Sequence, residues 1–184
     1  MTEEQDRFRS GTKQADLYAR QLRAHAAAVE TRMSATEVFR AEDQPWEDTP
    51  QGRMKHLAHA DMGGALASCD VFILEIPAGG RSGRHRHFAE EFIYVLEGTG
   101  RDLHWDPVLV VAEGGYDWAH PQGDPTSTWE WAAGDSIFVP PMTAHQHVNA
   151  DASHPVRLIC STSRIYQTLG FGGIEQLDPA EPPR

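Results

Sequence analysis

Two short segments concentrate side chains able to bind a metal ion. His85 and His87 are separated by one residue, as are His145 and His147, so four of the ten histidines fall in two H-x-H pairs. On an extended strand, residues i and i+2 project to the same side about 7 Å apart, close enough for two imidazoles to converge on one ion. Glu91 follows His87 at an even offset and can return a carboxylate to that side if the chain stays extended or kinks gently. Glu90 sits at an odd offset, points away, and is expected to pair with Arg84 or Arg86. The second pair lies in "GDSIFVPPMTAHQHVN", where Ile137 and Val139 form a strand, Pro140-Pro141 breaks it, and His145 begins the next.

These residues need strands to position them, and the chain from Arg53 onward supplies the pattern. "CDVFILEIP", "EFIYVLEG", "GRDLHWD", "PVLVVA", "STWEWAAGD", "SIFVPP", "HQHVNA" and "PVRLICSTSRIY" are short, β-rich and separated by Gly, Pro, Asp and Asn. Many such strands without intervening helical periodicity predict an all-β fold, an antiparallel barrel or jelly roll. The stretch from Ala112 to Thr128 has three glycines and two prolines and reads as an irregular excursion at one end of it. Upstream, Thr12 to about Met33 is rich in Ala, Leu, Arg and Gln without Gly or Pro, which predicts a helix with a thin apolar face of Leu17, Leu22 and Val29. A Pro-rich acidic linker follows, in which Trp46 is expected to anchor the arm on the domain surface. The expected organisation is an N-terminal helix and extended arm over 1–50, a barrel over 51–170, and a tail over 171–184 that ends in a frayed "LDPAEPPR".

Composition narrows the partners. The net charge of −11 opposes nucleic acid and anionic membrane surfaces. The longest apolar runs, Val71–Ile76 and Val108–Ala112, are strand-sized. Two cysteines, Cys69 and Cys160, are too few for a disulfide scaffold, and "MTEEQDRFRSG" lacks the features of a signal peptide, so the expected location is cytoplasmic.

The spacing of the two segments resembles the cupin superfamily. Its first motif, G-x5-H-x-H-x3-E-x6-G, is met at Gly79, His85, His87, Glu91 and Gly98; its second, G-x5-P-x-G-x2-H-x3-N, is met at Gly134, Pro140, His145 and Asn149. Met142 stands where that second motif has an internal glycine, a departure that bears on loop geometry. The resemblance covers about residues 53–165 and implies a cupin jelly-roll barrel, or double-stranded β-helix, with the N-terminal helical arm outside it. It also implies one divalent metal held by His85, His87, Glu91 and His145. That donor set suits Fe(II), Mn(II), Co(II), Ni(II), Cu(II) or Zn(II) and disfavours Ca²⁺ and Mg²⁺. Four protein ligands in an octahedral field leave two positions for substrate, water or O₂.

"VPPMTAHQHVN" is similar to the second-motif region of gentisate-type ring-cleaving dioxygenases, a likeness that is partial because their first motif typically lacks the glutamate. The function expected first is therefore a mononuclear Fe(II) dioxygenase acting on a small aromatic or oxygenated organic acid. The alternatives are a lyase, isomerase or decarboxylase using the metal as Lewis acid, and a non-catalytic metal-dependent ligand-binding barrel. For acid–base chemistry the candidate catalytic residue is His147, whose parity matches His145; a rim histidine is the equal alternative. His104 and His120 are expected to be ordinary surface or loop residues, and His25 needs no special role. Arg53, Lys55 and His59 share a strand face, either exposed or at the cavity mouth for an anionic substrate. Trp129 and Trp131 point one way, into packing first and as an aromatic substrate wall second. Tyr94 is expected outside the cavity and Cys160 in the core. A homodimer is expected, through strand edges and the N-terminal arm.

Overall fold

The computed structural model describes residues 16–64 and 66–180. Helix α1, Leu17–Met33, forms one compact unit with the residues up to Thr36 and is described by itself. It ends at Ser34, whose backbone N–H and hydroxyl both donate to the Glu30 carbonyl, satisfying an acceptor of the last turn. The first residues of the expected helix, Thr12 to Ala15, lie outside the described residues. No helix among the described residues is long and apolar enough to cross a membrane.

The second unit is built from strands β1 (Glu47–Thr49), β2 (Gly52–Ala58), β3 (Cys69–Ile76), β4 (Arg84–His87), β5 (Glu91–Glu97), β6 (Thr99–Trp105), β7 (Val108–Ala112), β8 (Gly115–Ala119), β9 (Ser127–Ala132), β10 (Ser136–Val139), β11 (Ala144–Asn149), β12 (Val156–Ser163) and β13 (Ile174–Asp178), with one helical turn, α2 (Ile165–Thr168). A six-stranded sheet runs β1-β2-β3-β12-β5-β10, a five-stranded sheet runs β13-β4-β11-β6-β9, and β7 pairs with β8 alone. Every pairing is antiparallel, as expected of the jelly roll.

The two inner faces differ in chemistry. Alternation along β3, β5, β10 and β12 turns Leu74, Ile76, Ile93, Val95, Ile137, Val139, Val156 and Leu158 inward, where with Met54, Trp131 and Cys160 they form the apolar core. The inward positions of β4, β6 and β11 instead carry His85, His87, Asp102, His104, His145 and His147, all buried. One sheet supplies the burial energy of the domain, and the other supplies polar groups that must find partners inside it.

Three expectations need correction. The stretch read as irregular contains β8, which closes on β7 through the two-residue turn Glu113-Gly114, where Gly114 has φ +98°. Leu177 and Asp178, read as the start of a frayed tail, belong to β13, which pairs with β4 and is tied there by Arg86–Glu175 and by Gln176, whose amide donates to the Arg84 carbonyl. Its apolar residues lie mostly exposed at a sheet edge, so hydrophobic patterning gave no sign of it. Glu90 accepts a hydrogen bond from the Tyr166 hydroxyl at 2.7 Å, while Arg86 is held by Glu175 and Arg84 lies over the Trp105 ring.

Met142 has φ +64°, the left-handed conformation that the motif's glycine would adopt, and its N–H still donates to the His87 carbonyl at 2.9 Å. The turn therefore keeps its shape under strain. A non-glycine residue in that region costs about 1 kcal/mol or more, so Met142→Gly is expected to raise Tm by roughly 2–4 °C in a thermal melt. A fall in Tm would show that Met142 packing outweighs the backbone strain.

Candidate metal centre

His85 and His145 are direct cross-strand partners on β4 and β11, and the two-residue period places His87 and His147 on the same inner face. Glu91 arrives differently from the sequence reading. The chain leaves the five-stranded sheet at Phe88–Glu90, and Glu91, the first residue of β5, reaches the site from the facing sheet. The ring centroids of His85 and His145 are 4.2 Å apart, and those of His87 and His145 are 5.1 Å apart. Glu91 Oε2 lies 3.0 Å from His87 Nε2 and 3.3 Å from His145 Nε2. One donor atom from each of His85, His87, Glu91 and His145 falls within 4.8 Å of the others.

Each of these three imidazoles is oriented by a backbone carbonyl two residues away, just outside its strand. His85 Nδ1 faces the Gly83 carbonyl at 3.2 Å, His87 Nδ1 the Ala89 carbonyl at 2.7 Å, and His145 Nδ1 the Thr143 carbonyl at 3.0 Å. A carbonyl only accepts, so Nδ1 carries the proton in all three. In the neutral ring Nε2 then keeps its lone pair, the form that binds a metal. His145 Nε2 is buried and has no hydrogen-bond partner, since its contact with Glu91 lacks the alignment of one. A buried acceptor left unmatched is costly unless something else binds it. The donor set thus fits a divalent transition metal.

Electrostatics agree with that assignment at His85 and His145. Burial, with the neighbouring His145, pushes His85 well below its ordinary range, and burial likewise lowers His145, so both favour the neutral form. Burial also pulls on His87, but the hydrogen bond and charge of Glu91 outweigh it and hold that pKa above the ordinary value. Burial alone would raise the Glu91 carboxyl; the imidazoles of His145 and His87 beside it keep it well below the carboxylate range.

A second polar layer lies one step along the same strands. His147 Nδ1 donates to Asp102 Oδ1 at 2.8 Å, and the Trp131 indole N–H donates to the same oxygen at 2.9 Å. The ring of His147 is 5.5 Å from that of His145. Burial would raise Asp102, but His147 leads the contacts that hold it far below the ordinary range; burial would lower His147, and the Asp102 charge raises it instead. Trp131 occupies the space over Gly100, where any Cβ would collide with the indole, so this glycine is required for close approach.

His104, expected at the surface, is buried at 3% exposure beside Asp102, with the two side chains 3.4 Å apart. The signal for it was present in "DLHWD": Asp102, His104 and Asp106 alternate with the period of the H-x-H pairs. Asp106 accepts from Thr126, Ser127 and Thr143, which fixes the turn that precedes His145. Asn149, matched by the second motif, is structural: its amide donates to the Pro77 and His154 carbonyls. Trp131 is in the core while Trp129 is exposed, Tyr94 faces outward, and Cys160 is a buried core thiol whose pKa burial raises. Arg53 pairs with Glu75 and Lys55 donates to the Ala41 carbonyl on the outer face of the six-stranded sheet. A cleft of about 60 Å³ lies against His87, lined also by Thr162, Ser163, Tyr166, Gln167 and Phe171.

No protein-family model matches the chain, and no curated protein matches its sequence. Solved structures do match its fold. An oxalate decarboxylase of Bacillus subtilis aligns with TM-score 0.53 and 16% identity over 76% of this chain and 31% of its own. The oxalate decarboxylase of Lactobacillus farciminis aligns with TM-score 0.55 and 15% identity over 80% of this chain and 36% of its own. The polyketide cyclase RemF of Streptomyces resistomycificus aligns with TM-score 0.54 and 18% identity over 77% of this chain and 85% of its own. The chain thus spans about a third of the length of the decarboxylases and most of the length of the cyclase.

The geometry predicts the response to substitution. His85→Ala or His145→Ala is expected to abolish most metal uptake with the barrel still folded, and Glu91→Ala to weaken affinity less than either, as read by elemental analysis alongside circular dichroism. Stoichiometric metal in both histidine variants would overturn the ligand set. Two facing antiparallel sheets, the spacing of both histidine segments and the likeness to these structures establish that the chain has the cupin fold.

Proposed function

We propose that this chain is a metal-dependent enzyme that performs non-redox chemistry on a small oxygen-rich carbonyl compound, with one divalent transition metal held by His85, His87, Glu91 and His145. The observation that carries this reading is the buried Asp102–His147 pair beside the four donors: Nδ1 bonded to the carboxylate at 2.8 Å and the ring 5.5 Å from His145. A metal bound there would supply a Lewis acid to polarise a carbonyl or carboxylate oxygen.

The remaining work belongs to the chain's own residues. Asp102 holds His147 in the tautomer that protonates Nδ1, which leaves Nε2 as the basic edge of the ring. His147 takes a proton at Nε2 from the carbon next to a carbonyl; the C–H bonding pair moves toward the carbonyl oxygen, and Asp102 stabilises the imidazolium that results. In the reverse sense, protonated His147 delivers its proton to a carbanion left by C–C cleavage. Trp131 bonds the same carboxylate oxygen and keeps Asp102 from turning away. Burial of Glu91, His145, His147 and Asp102, each at 2% exposure or less, excludes bulk water from the proton transfer. A likeness to an oxalate decarboxylase described with Mn(II) centres and to a polyketide cyclase is in keeping with this class of reaction.

An Fe(II) dioxygenase is the second reading, supported by the H-x-H-x-N segment His145–Asn149. In the structure His147 of that segment is engaged by Asp102 and Asn149 secures a turn, roles that acid–base chemistry uses and oxygen activation does not require.

The deciding experiment loads the protein with Mn(II), Zn(II) or Fe(II) and supplies oxo acids, β-dicarbonyl compounds, oxalate, gentisate and catechols. Turnover, or solvent deuterium exchange at the acidic carbon, is expected without O₂ and with Mn(II) or Zn(II). His147→Ala should lower kcat by about 10²–10⁴ with metal content retained. Substrate-dependent O₂ consumption that requires Fe(II), with no anaerobic exchange, would replace this reading by the dioxygenase.

A further inference from the structure

Among the described residues, the hairpin β7–β8 pairs with no other strand. In its register Leu109 lies opposite Trp118 and Val111 opposite Tyr116, so these four side chains share one face. All four are exposed, Val111 at 78% and Tyr116 at 75%. A two-stranded ribbon is marginal in water and needs a third element against its apolar face. A second unpartnered apolar surface lies on the outer face of β5 and β10. Phe92 is opposite Phe138, and Tyr94 is opposite Ile159, which in turn faces Ile73. Phe138 is 58% and Phe92 51% exposed, with Tyr94 and Leu96 about two-fifths exposed beside them.

We propose that the β7–β8 hairpin is an intersubunit arm whose Leu109–Val111–Tyr116–Trp118 face docks on the Phe92–Tyr94–Leu96–Phe138 face of a second copy of this chain. The areas support a second copy as the occupant. Taking an aromatic side chain at roughly 200 Å², the exposed parts of each face amount to roughly 400–500 Å². A two-fold dimer uses both faces of each protomer, or about 900 Å² per partner, against the ~800 Å² of a stable interface. Either face alone falls short of that size. An anionic membrane surface is a poor occupant for a chain of net charge −11 whose arm carries Glu113 and Asp117 and no basic residue. This interface uses neither the strand edges nor the N-terminal arm expected from the sequence, and it does not depend on the catalytic reading.

Val111→Glu and Phe138→Glu each place a charge at an exposed position, so folding is expected to survive, as checked by thermal melts and metal content. Analytical ultracentrifugation of the wild type should give a dimer. Each variant alone should dissociate, with Kd raised about thirtyfold or more. A monomeric wild type, or a dimer unaffected by either substitution, would overturn the proposal.

Discussion

Three hydrogen bonds from imidazole Nδ1 to backbone carbonyls set the terms for the rest of this structure. Gly83, Ala89 and Thr143 each present a carbonyl two residues from a histidine, and each fixes one ring's tautomer and direction. The three Nε2 atoms then converge on the space that Glu91 enters from the opposite sheet. Such an arrangement is costly in an apolar interior, because His145 Nε2 has no hydrogen-bond partner among the described residues and burial opposes the charge that His145 and His87 favour on Glu91. A divalent ion would satisfy all four groups at once.

The domain tolerates this load through a division of labour between its sheets. The six-stranded sheet turns an almost wholly aliphatic face inward, with Leu74, Ile93, Val95 and Leu158 at 2% exposure or less, and so supplies the hydrophobic stabilisation. The five-stranded sheet stacks polar rungs along its strands. His85 and His145 form one across β4 and β11, continued by His104 on β6. His147 and Asp102 form the next, and Gly100, under the Trp131 indole, closes the series where the apolar core begins. The Asp102–His147 pair therefore sits between the candidate metal centre and the core, with its carboxylate fully bonded on one oxygen and its imidazole oriented by that bond.

What the sequence revealed tracks how locally each feature is encoded. The histidine pairs were legible because a two-residue period on a strand is enough to place them on one face. The barrel was legible because its strands are short, β-branched and punctuated. Glu91 was found by spacing, yet the reason it reaches the site is a crossing between sheets at Phe88–Glu90 that an even offset does not express. Met142 broke the motif's pattern without breaking the turn, since a methionine can be held at φ +64° when the surrounding bonds demand it. His104 is illegible as a lone histidine and becomes legible only as the middle of Asp102-Leu103-His104-Trp105-Asp106. β8 and β13 escaped because their side chains are mostly exposed, and burial is what makes hydrophobic periodicity informative.

X-ray absorption spectroscopy of the protein loaded with one equivalent of Mn(II), Fe(II) or Zn(II) tests the central claim most directly. The account predicts a first shell of nitrogen and oxygen at about 2.0–2.2 Å with the outer-shell scattering of three imidazoles, which is largely lost in His85→Ala because that variant takes up little metal. An all-oxygen shell without imidazole scattering, or a spectrum unchanged by that substitution, would contradict it.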